Sequence, residues 1–333
     1  MFHPVRQCLS VHGQRKPGDT MTNDADATGD RPSIGFIGIG NMGWPMAARL
    51  VAAGFPVQVA DMRPERAEGF VEQVGGRAAG SLRALAESSE LVVTMLPTSA
   101  AVSAALDDIL PHLRPGALLL DMTSGEPAAT RLLAARVSAA GGAMVDAPVS
   151  GGVERARTGQ LAIMAGGSDA DIGRASTALE AMGSSLLRTG GVGTAHAMKA
   201  LNNLASAGSF LIGVEALLIG SRFGLDPGMM VDVLNASTGM SNSSQKKFRQ
   251  FVLSRRFNSG FGLDLMVKDL GIALGVARDT STAAPFAALC RELSAAAQAM
   301  LGPGADHTEL AKLSERLAGS ELAGEPKQDQ PAA

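Results

Sequence analysis

The sequence of 333 residues contains no tyrosine, only two cysteines and only 4% aromatic residues. The missing tyrosine excludes any catalytic mechanism that pairs a phenol hydroxyl with a lysine. Cys8 and Cys290 are too few for a disulfide framework, so we expect a reducing, cytoplasmic setting. The five histidines form no Cys/His cluster at ligand spacing, and we therefore expect no metal site.

Charge and hydropathy argue against two classes of partner. The net charge is -3 and no basic arm is present, so we expect no nucleic acid partner. No uninterrupted apolar run reaches the ~18 residues of a membrane span, and we expect no membrane association. The first thirty residues are polar and lack the apolar segment of a secretory signal, and Met21 is an alternative start to Met1.

The pattern of apolar segments predicts two kinds of domain. From residue 33 to 193, short apolar strands alternate with helices, which is typical of an α/β domain with a doubly wound, Rossmann-type parallel sheet. Residues 194–317 lack strand patterns and predict an all-α C-terminal domain, which is joined to the first by one long helix over 194–223. We expect disordered tails at 1–32 and 318–333. Further helices are predicted at 227–237, 244–253, 263–278, 285–301 and 308–317.

A glycine-rich turn follows the first predicted strand and opens a helix. Its Gly-x-Gly-x-x-Gly spacing places backbone N–H groups and the positive end of the helix against a pyrophosphate. The turn therefore predicts a dinucleotide site, and the alternative is a turn that only packs a helix on the sheet. The expected cofactor contacts in the turn are Gly38, Ile39, Gly40, Asn41, Met42 and Gly43.

Asp61 ends the second predicted strand, eighteen residues after Gly43. An acid at this place accepts hydrogen bonds from both ribose hydroxyls and repels a 2′-phosphate. We therefore predict NAD as the preferred cofactor. Arg63 and Arg66 weaken this preference and leave NADP as the alternative.

Lys199 and Asn203 stand four residues apart on the long predicted helix, so they project from one face. The apolar neighbours Met198 and Leu201 favour a partly buried ammonium, whose lowered pKa suits proton exchange with a substrate oxygen. Asn203 is then placed to hold the substrate hydroxyl or to orient the amine. From spacing alone, a lysine with its stem on apolar surface and its charge in water remains the alternative.

Two loops follow predicted strands at the carboxyl edge of the sheet, where ligands of doubly wound folds bind. Residues 146–152 (DAPVSGG) offer backbone N–H groups and one hydroxyl, which suit a carboxylate. The alternative is an ordinary tight loop. Residues 121–124 (DMTS) offer hydroxyls to a ribose or a substrate.

Five motifs in a fixed order carry a resemblance to a known family. They are GFIGIGNMGWPMAARL, TMLP, DAPVSGG, GVGTAHAMKALNN and VKDL. Together they resemble the β-hydroxyacid dehydrogenases, a family that includes 3-hydroxyisobutyrate dehydrogenase and tartronate semialdehyde reductase. The resemblance extends from about Ser33 to Leu317.

The resemblance implies an NAD(P)-dependent oxidoreductase that acts on a small 3-hydroxy acid or its semialdehyde, with its site in the cleft between the domains. It also implies a homodimer or homotetramer assembled through the helical part. Lys199 would be the catalytic proton donor and acceptor, with Asn203 as its partner. The substrate-binding positions would be Thr123, Ser150, Gly151 and Gly152. The further cofactor contacts would be Leu96, Pro97, Ser124 and Lys268.

Three segments depart from the family pattern and leave the substrate open. Residues 121–127 (DMTSGEP) exchange two hydroxyl residues and add a glycine and a glutamate, Arg155 replaces a common glycine, and residues 237–248 lack a common tryptophan. One alternative is a phosphorylated or sulfonated hydroxy acid bound by Arg155 and Arg157, although a solvated surface pair is the favoured interpretation of these two arginines. Imine reductase chemistry and a non-enzymatic dinucleotide-binding scaffold are disfavoured because Lys199 is retained.

Overall fold

The structure, a computed structural model, describes residues 31–322. The predictions for Cys8, for the start at Met21 and for most of both tails lie outside the described residues. From Pro32 onward the described residues form one compact unit. Cys290 is buried in this unit as a free thiol.

Within residues 31–322, nine strands form one sheet. They are β1 Ile34–Ile37, β2 Val57–Ala60, β3 Arg77–Ala78, β4 Leu91–Thr94, β5 Leu118–Asp121, β6 Ala143–Asp146, β7 Val149–Ser150, β8 Leu161–Gly166 and β9 Gly183–Gly190. Their order is β3-β2-β1-β4-β5-β6-β8-β7, with β9 paired to β8. The pairs from β3 to β6 are parallel, whereas β8 runs antiparallel to β6 and β7. Because the order reverses between β1 and β4, the ligand crevice of a doubly wound sheet opens beyond their carboxyl ends. The predicted Rossmann-type fold class is confirmed.

Helices cover both faces of the sheet. They are α1 Gly43–Ala52, α2 Pro64–Val74, α3 Leu82–Ser88, α4 Ser99–Ile109, α5 Pro127–Ala139, α6 Gly152–Arg157 and α7 Asp169–Met182. One apolar layer packs α1, α2 and α7 against the sheet, and a second packs α3, α4 and α5 on the other face. This double coverage explains why β4 and β5 are apolar and buried along their whole length.

The remaining part is helical. Its helices are α8 Thr194–Phe223, α9 Pro227–Asn235, α10 Asn242–Lys246, α11 Leu263–Asp279, α12 Pro285–Leu301 and α13 Leu310–Ala318. With 30 residues, α8 begins and ends where the sequence predicts. The length and hydropathy of α8 would suit a membrane span, but buried core helices meet the same two criteria. Here its buried face packs against α9, α12 and α13 in one apolar core. The boundary between the two predicted domains stays a prediction, although the secondary structure changes at residue 193.

Two predictions in the helical part are wrong. The helix predicted over 244–253 is interrupted, because α10 ends at Lys246 and a π-helix follows over Phe248–Leu253. The tail predicted to be disordered from 318 remains packed as far as Leu322. The Leu322 side chain is fully buried, and its N–H donates to Glu315 Oε1 at 2.8 Å. The Arg255 guanidinium donates to both the Glu315 carboxylate and the Leu322 carbonyl. An arginine that is distant in sequence therefore fixes the position of Leu322.

Candidate active site

The glycine turn joins β1 to α1 with its backbone exposed at one point. Gly38 has φ +102°, and a side chain there would collide with the Met95 carbonyl. A side chain at Gly43 would collide with the Gly38 carbonyl, whereas Gly40 has open space around its Cα. The open backbone at Gly40 and the first turn of α1 fit the pyrophosphate of a dinucleotide. The residues present therefore fit the cofactor that the motif predicts.

Asp61, directly after β2, is tied to the turn. Its Oδ2 accepts a hydrogen bond from the Ile39 N–H at 2.8 Å, and its Oδ1 accepts one from the Arg63 N–H at 3.0 Å. The Arg66 guanidinium lies 3.9 Å from Oδ2. In this arrangement the Ile39 N–H positions Asp61, so it is not directed at a phosphate as the sequence analysis expected.

The loops after β4 and β5 are joined by Thr123. Its hydroxyl accepts a hydrogen bond from the Leu96 N–H at 3.1 Å, and its own N–H donates to Asp121 Oδ1 at 3.1 Å. Thr123 is fully buried, so its predicted contact with the substrate carboxylate is not available in this structure. Ser124 is half-buried and is the hydroxyl of this pair that is left for a ligand.

Lys268 of α11 reaches across to these loops. Its ammonium donates to the Ser124 carbonyl at 3.0 Å and to the Pro97 carbonyl at 3.3 Å. Three predicted cofactor positions, Pro97, Ser124 and Lys268, are thus brought together by direct hydrogen bonds. The contact also links the helical part to the carboxyl edge of the sheet.

Lys199 and Asn203 share a face of α8 and meet an acid from α11. The buried Asn203 side chain donates from Nδ2 to Asp269 Oδ2 at 2.6 Å. Burial lowers the pKa of Lys199, and the negative charge of Asp269 acts in the opposite direction. The lowered pKa makes the half-buried Lys199 amine easier to deprotonate than an ordinary lysine, which suits a group that exchanges a proton with the substrate.

The segment from the end of β6 to the start of α6 begins with a buried residue and ends with exposed ones. Asp146 is fully buried, and its carboxylate accepts hydrogen bonds from the Gly193 N–H at 2.7 Å and the His196 N–H at 2.9 Å. It therefore caps the start of α8. Ser150 is half-buried and Gly151 is exposed, so backbone and hydroxyl groups at the predicted carboxylate positions remain accessible.

Comparisons with known proteins agree with this geometry. Residues 33–191 match the NAD binding domain of 6-phosphogluconate dehydrogenase, and residues 193–314 match a family described as NAD-binding of NADP-dependent 3-hydroxyisobutyrate dehydrogenase. The chain is 35% identical over 291 residues to mitochondrial 3-hydroxyisobutyrate dehydrogenase of Mus musculus, with 84% of this chain and 87% of that protein covered. It is 32% identical to 2-(hydroxymethyl)glutarate dehydrogenase of Eubacterium barkeri, with 87% and 97% covered.

A solved structure gives the same result. It is Mycobacterium tuberculosis 3-hydroxyisobutyrate dehydrogenase with L-serine, with a TM-score of 0.81, 30% identity, and 86% of this chain and 99% of that chain covered. The chain belongs to the β-hydroxyacid dehydrogenase family. It is an NAD(P)-binding oxidoreductase that acts on CH–OH groups. The scaffold alternative is thereby set aside.

One departure of this dehydrogenase from the family pattern has a structural reason. His196 is buried, and its Nδ1 lies 2.7 Å from the Thr130 hydroxyl. A Cβ on Gly125 would lie 2.9 Å from the His196 ring. The glycine at 125 therefore makes room for the histidine at the start of α8.

Arg155 and Arg157 of the dehydrogenase are both exposed. The Arg155 side chain lies over Gly151, and Arg157 donates to Glu154 Oε1 at 2.8 Å. Arg157 also lines a cavity of about 770 Å³ beside the glycine turn. The exposure of both side chains and the pairing of Arg157 with Glu154 favour the surface interpretation of the two arginines over an extra anion site.

Asp269 is the functional residue that the sequence analysis missed. Met266, Leu270 and Ala273 form the buried stripe of α11, and Asp269 lies within that stripe. Its place among the apolar residues of α11 is visible in the sequence, whereas its contact with Asn203 is not. Among residues 31–322, no three His, Cys, Asp or Glu side chains gather as metal ligands.

Replacing Asp269 tests its effect on the catalytic lysine. Asp269→Asn removes the charge that raises the pKa of Lys199 while keeping an acceptor for Asn203. Oxidation of a hydroxy acid requires the neutral amine, so we expect the rise of kcat/KM with pH to move to lower pH. Asp264→Asn, an exposed position on the same helix, is the control and should leave the profile in place. An unmoved profile in Asp269→Asn contradicts the assignment.

Proposed function

We propose that this enzyme oxidises a small 3-hydroxy acid of the 3-hydroxyisobutyrate type to its semialdehyde and catalyses the reverse reduction. The observation that carries the proposal is the group formed by Lys199, Asn203 and Asp269 at the cleft beside the carboxyl edge of the sheet. The names of the relatives support the substrate class. They include a dehydrogenase for a monocarboxylate and one for a dicarboxylate, so both kinds of acid belong in the assays.

The bound NAD(P) would accept a hydride from the carbon that bears the hydroxyl, or return one to the aldehyde. In oxidation, neutral Lys199 accepts the hydroxyl proton, and in reduction its ammonium donates a proton to the aldehyde oxygen. Asn203 Nδ2 donates to Asp269, and Asn203 Oδ1 accepts a hydrogen bond from Asn202 Nδ2 at 3.3 Å. The second lone pair of Oδ1 is left for the amine or the substrate hydroxyl. The Ser150 hydroxyl and the N–H groups of Gly151 and Gly152 would hold the substrate carboxylate.

Lys199→Met tests the proton transfer. We expect kcat to fall by about 10²–10⁴-fold, the usual contribution of a general acid or base. The enzyme should still bind NADH, as followed by nicotinamide fluorescence, because the glycine turn is untouched. Near-normal turnover in Lys199→Met contradicts the assigned role. If the wild-type enzyme reduces neither NAD nor NADP with any 3-hydroxy acid, the proposed function itself is wrong.

We propose NAD as the preferred cofactor, although one matching family is described as NADP-dependent. Asp61 supports the proposal because its carboxylate lies where a 2′-phosphate would be repelled. Asp61→Ser removes the charge but keeps an acceptor for the Ile39 N–H. We expect the ratio of kcat/KM for NADP to that for NAD to rise about tenfold or more. An unchanged ratio, measured on a variant with wild-type thermal stability, contradicts the proposal.

We propose that two or more copies assemble through the helical part. Ile212, Ile219 and Phe223 lie on one face of α8 and are 55%, 72% and 84% exposed. Phe286 and Leu289 of α12 are also exposed, and Phe286 packs beside Gly208 of α8. A contiguous apolar surface of this kind is typical of a subunit interface.

Sedimentation velocity tests the assembly. We expect the wild-type enzyme to sediment as a dimer or tetramer and Ile219→Glu to shift it toward a smaller species, because a buried charge opposes association. Leu132→Glu is the control, since Leu132 is 70% exposed but lies on α5, away from this surface. A monomeric wild-type enzyme contradicts the proposal.

A further inference from the structure

A second lysine borders the face of α8 that carries Lys199 and Asn203. Ser206 follows Asn203 by one turn, and its hydroxyl accepts a hydrogen bond from the Lys247 ammonium at 3.0 Å. The same ammonium lies 5.9 Å from the centre of the Phe210 ring. Lys199, Asn203, Ser206 and Phe210 are spaced four, three and four residues apart, so they share one helical face. The Lys247 ammonium is therefore aligned with the reacting groups, further along the helix.

No carboxylate of residues 31–322 forms an ion pair with Lys247. The nearest acid to influence it is Asp306, whose carboxylate is already engaged by the Ser259 hydroxyl and the Gly260 N–H, both at 2.8 Å. Burial lowers the pKa of Lys247 to about 8, so the side chain is still mostly charged at pH 7. A half-buried ammonium without a counterion is costly for the fold unless a ligand supplies the anion.

The surroundings of Lys247 are otherwise apolar or neutral. The His307 ring contacts both the Phe210 and the Phe261 rings, with centroids 6.1 Å and 5.6 Å apart. Burial and the nearby Lys247 charge lower the pKa of His307 to about 4, so this imidazole is neutral at pH 7. Lys247 thus lies beside the neutral rings of Phe210 and His307.

Helix geometry sets the scale of a substrate that would reach both lysines. Lys199 and Ser206 are seven residues apart, which is about 10 Å along the axis of α8. The reacting hydroxyl and the distal anion of a substrate that contacts both lysines must therefore be several carbon atoms apart.

We propose that Lys247 binds a second anionic group of the substrate, so that the preferred substrate is a 3-hydroxy acid with a second carboxylate on a short arm. This inference rests on the proposed function, because it assigns the substrate class to the same cleft. The loop from Ser150 to Gly152 binds the first carboxylate, and Lys199 exchanges the proton. Lys247 binds the second carboxylate at the end of the arm and so favours substrates that carry one. The segment 237–248, which departs from the family pattern, thereby acquires a role in specificity.

Three hydroxy acids distinguish the effect of substrate charge from the effect of substrate size. They are 3-hydroxyisobutyrate, 2-(hydroxymethyl)glutarate, which carries a carboxyethyl arm in place of the methyl group, and the monoamide of the latter at the distal carboxyl. We expect the wild-type enzyme to favour the dianion over both monoanions in kcat/KM. Lys247→Met should lower kcat/KM for the dianion by about 10- to 100-fold, mainly through KM, since a charged hydrogen bond is lost.

Two further variants control this result. Lys247→Arg keeps the charge and should retain part of the preference. Lys246→Met, at the exposed neighbouring position, should retain all of it. A wild-type preference for 3-hydroxyisobutyrate, or an equal loss for all three acids in Lys247→Met, overturns the inference.

The pH dependence gives a readout that a structural role would not move. The groups that face Lys247 are Asp306, whose pKa is lowered, and His307, so neither titrates between pH 6.5 and 9. Titration of Lys199 affects all three acids and cancels in a ratio. The ratio of kcat/KM for the dianion to that for the monoamide should therefore fall as pH rises past about 8. A flat ratio overturns the inference.

Binding of unreactive analogues separates this inference from the proposed function. By calorimetry in the presence of NAD, 2-methylglutarate should bind the wild-type enzyme at least about tenfold more tightly than isobutyrate, and Lys247→Met should abolish the difference. Absence of hydride transfer with every hydroxy acid refutes the proposed function alone. Equal binding of the two analogues by the wild-type enzyme refutes the role of Lys247.

Discussion

The carboxylate of Asp146 is the contact on which the geometry of the site depends. It ends β6 and accepts the N–H groups of Gly193 and His196, so it fixes the first turn of α8 to the carboxyl edge of the sheet. Burial raises the pKa of this carboxyl, while the two N–H donors and the positive end of a 30-residue helix favour its charged form. Lys199 follows Gly193 by six residues, less than two turns. Its position relative to the sheet is therefore set by Asp146.

Three lysines lie along this cleft, and the positive charge of each is compensated by different groups. Lys268 donates to two carbonyl groups and lies 3.5 Å from Asp269 Oδ1, so it serves as a fixed link between the loops and α11. Lys199 has the charge of Asp269 nearby but is partly desolvated, which leaves its proton exchangeable. Within the part of the chain that the structure describes, Lys247 has a hydroxyl and an aromatic ring but no acid as an ion-pair partner. The same residue type thus supplies a structural contact, a proton carrier and a place for an anion.

Local patterns predicted the parts of this structure that local interactions determine. The glycine turn, the buried parallel strands and the limits of α8 follow from steric and periodic rules that act within a few residues. The misses arise from contacts between distant segments. Thr123 is withdrawn from the cleft by the loop after β4, Asp269 gains its role only when α11 packs on α8, and Leu322 is held by Arg255.

The departures from the family pattern separate into two physical kinds. Gly125 compensates for His196, because the histidine ring occupies the space that a side chain at 125 would need. This pair restores packing beneath the site and leaves the reacting groups unchanged. The segment 237–248 is different, since it places Lys247 beside the face that carries the proton-transfer residues. Packing explains a substitution that fills or empties space. It does not explain the charge of Lys247, which requires an anion as its partner. A substrate with a second carboxylate supplies that anion.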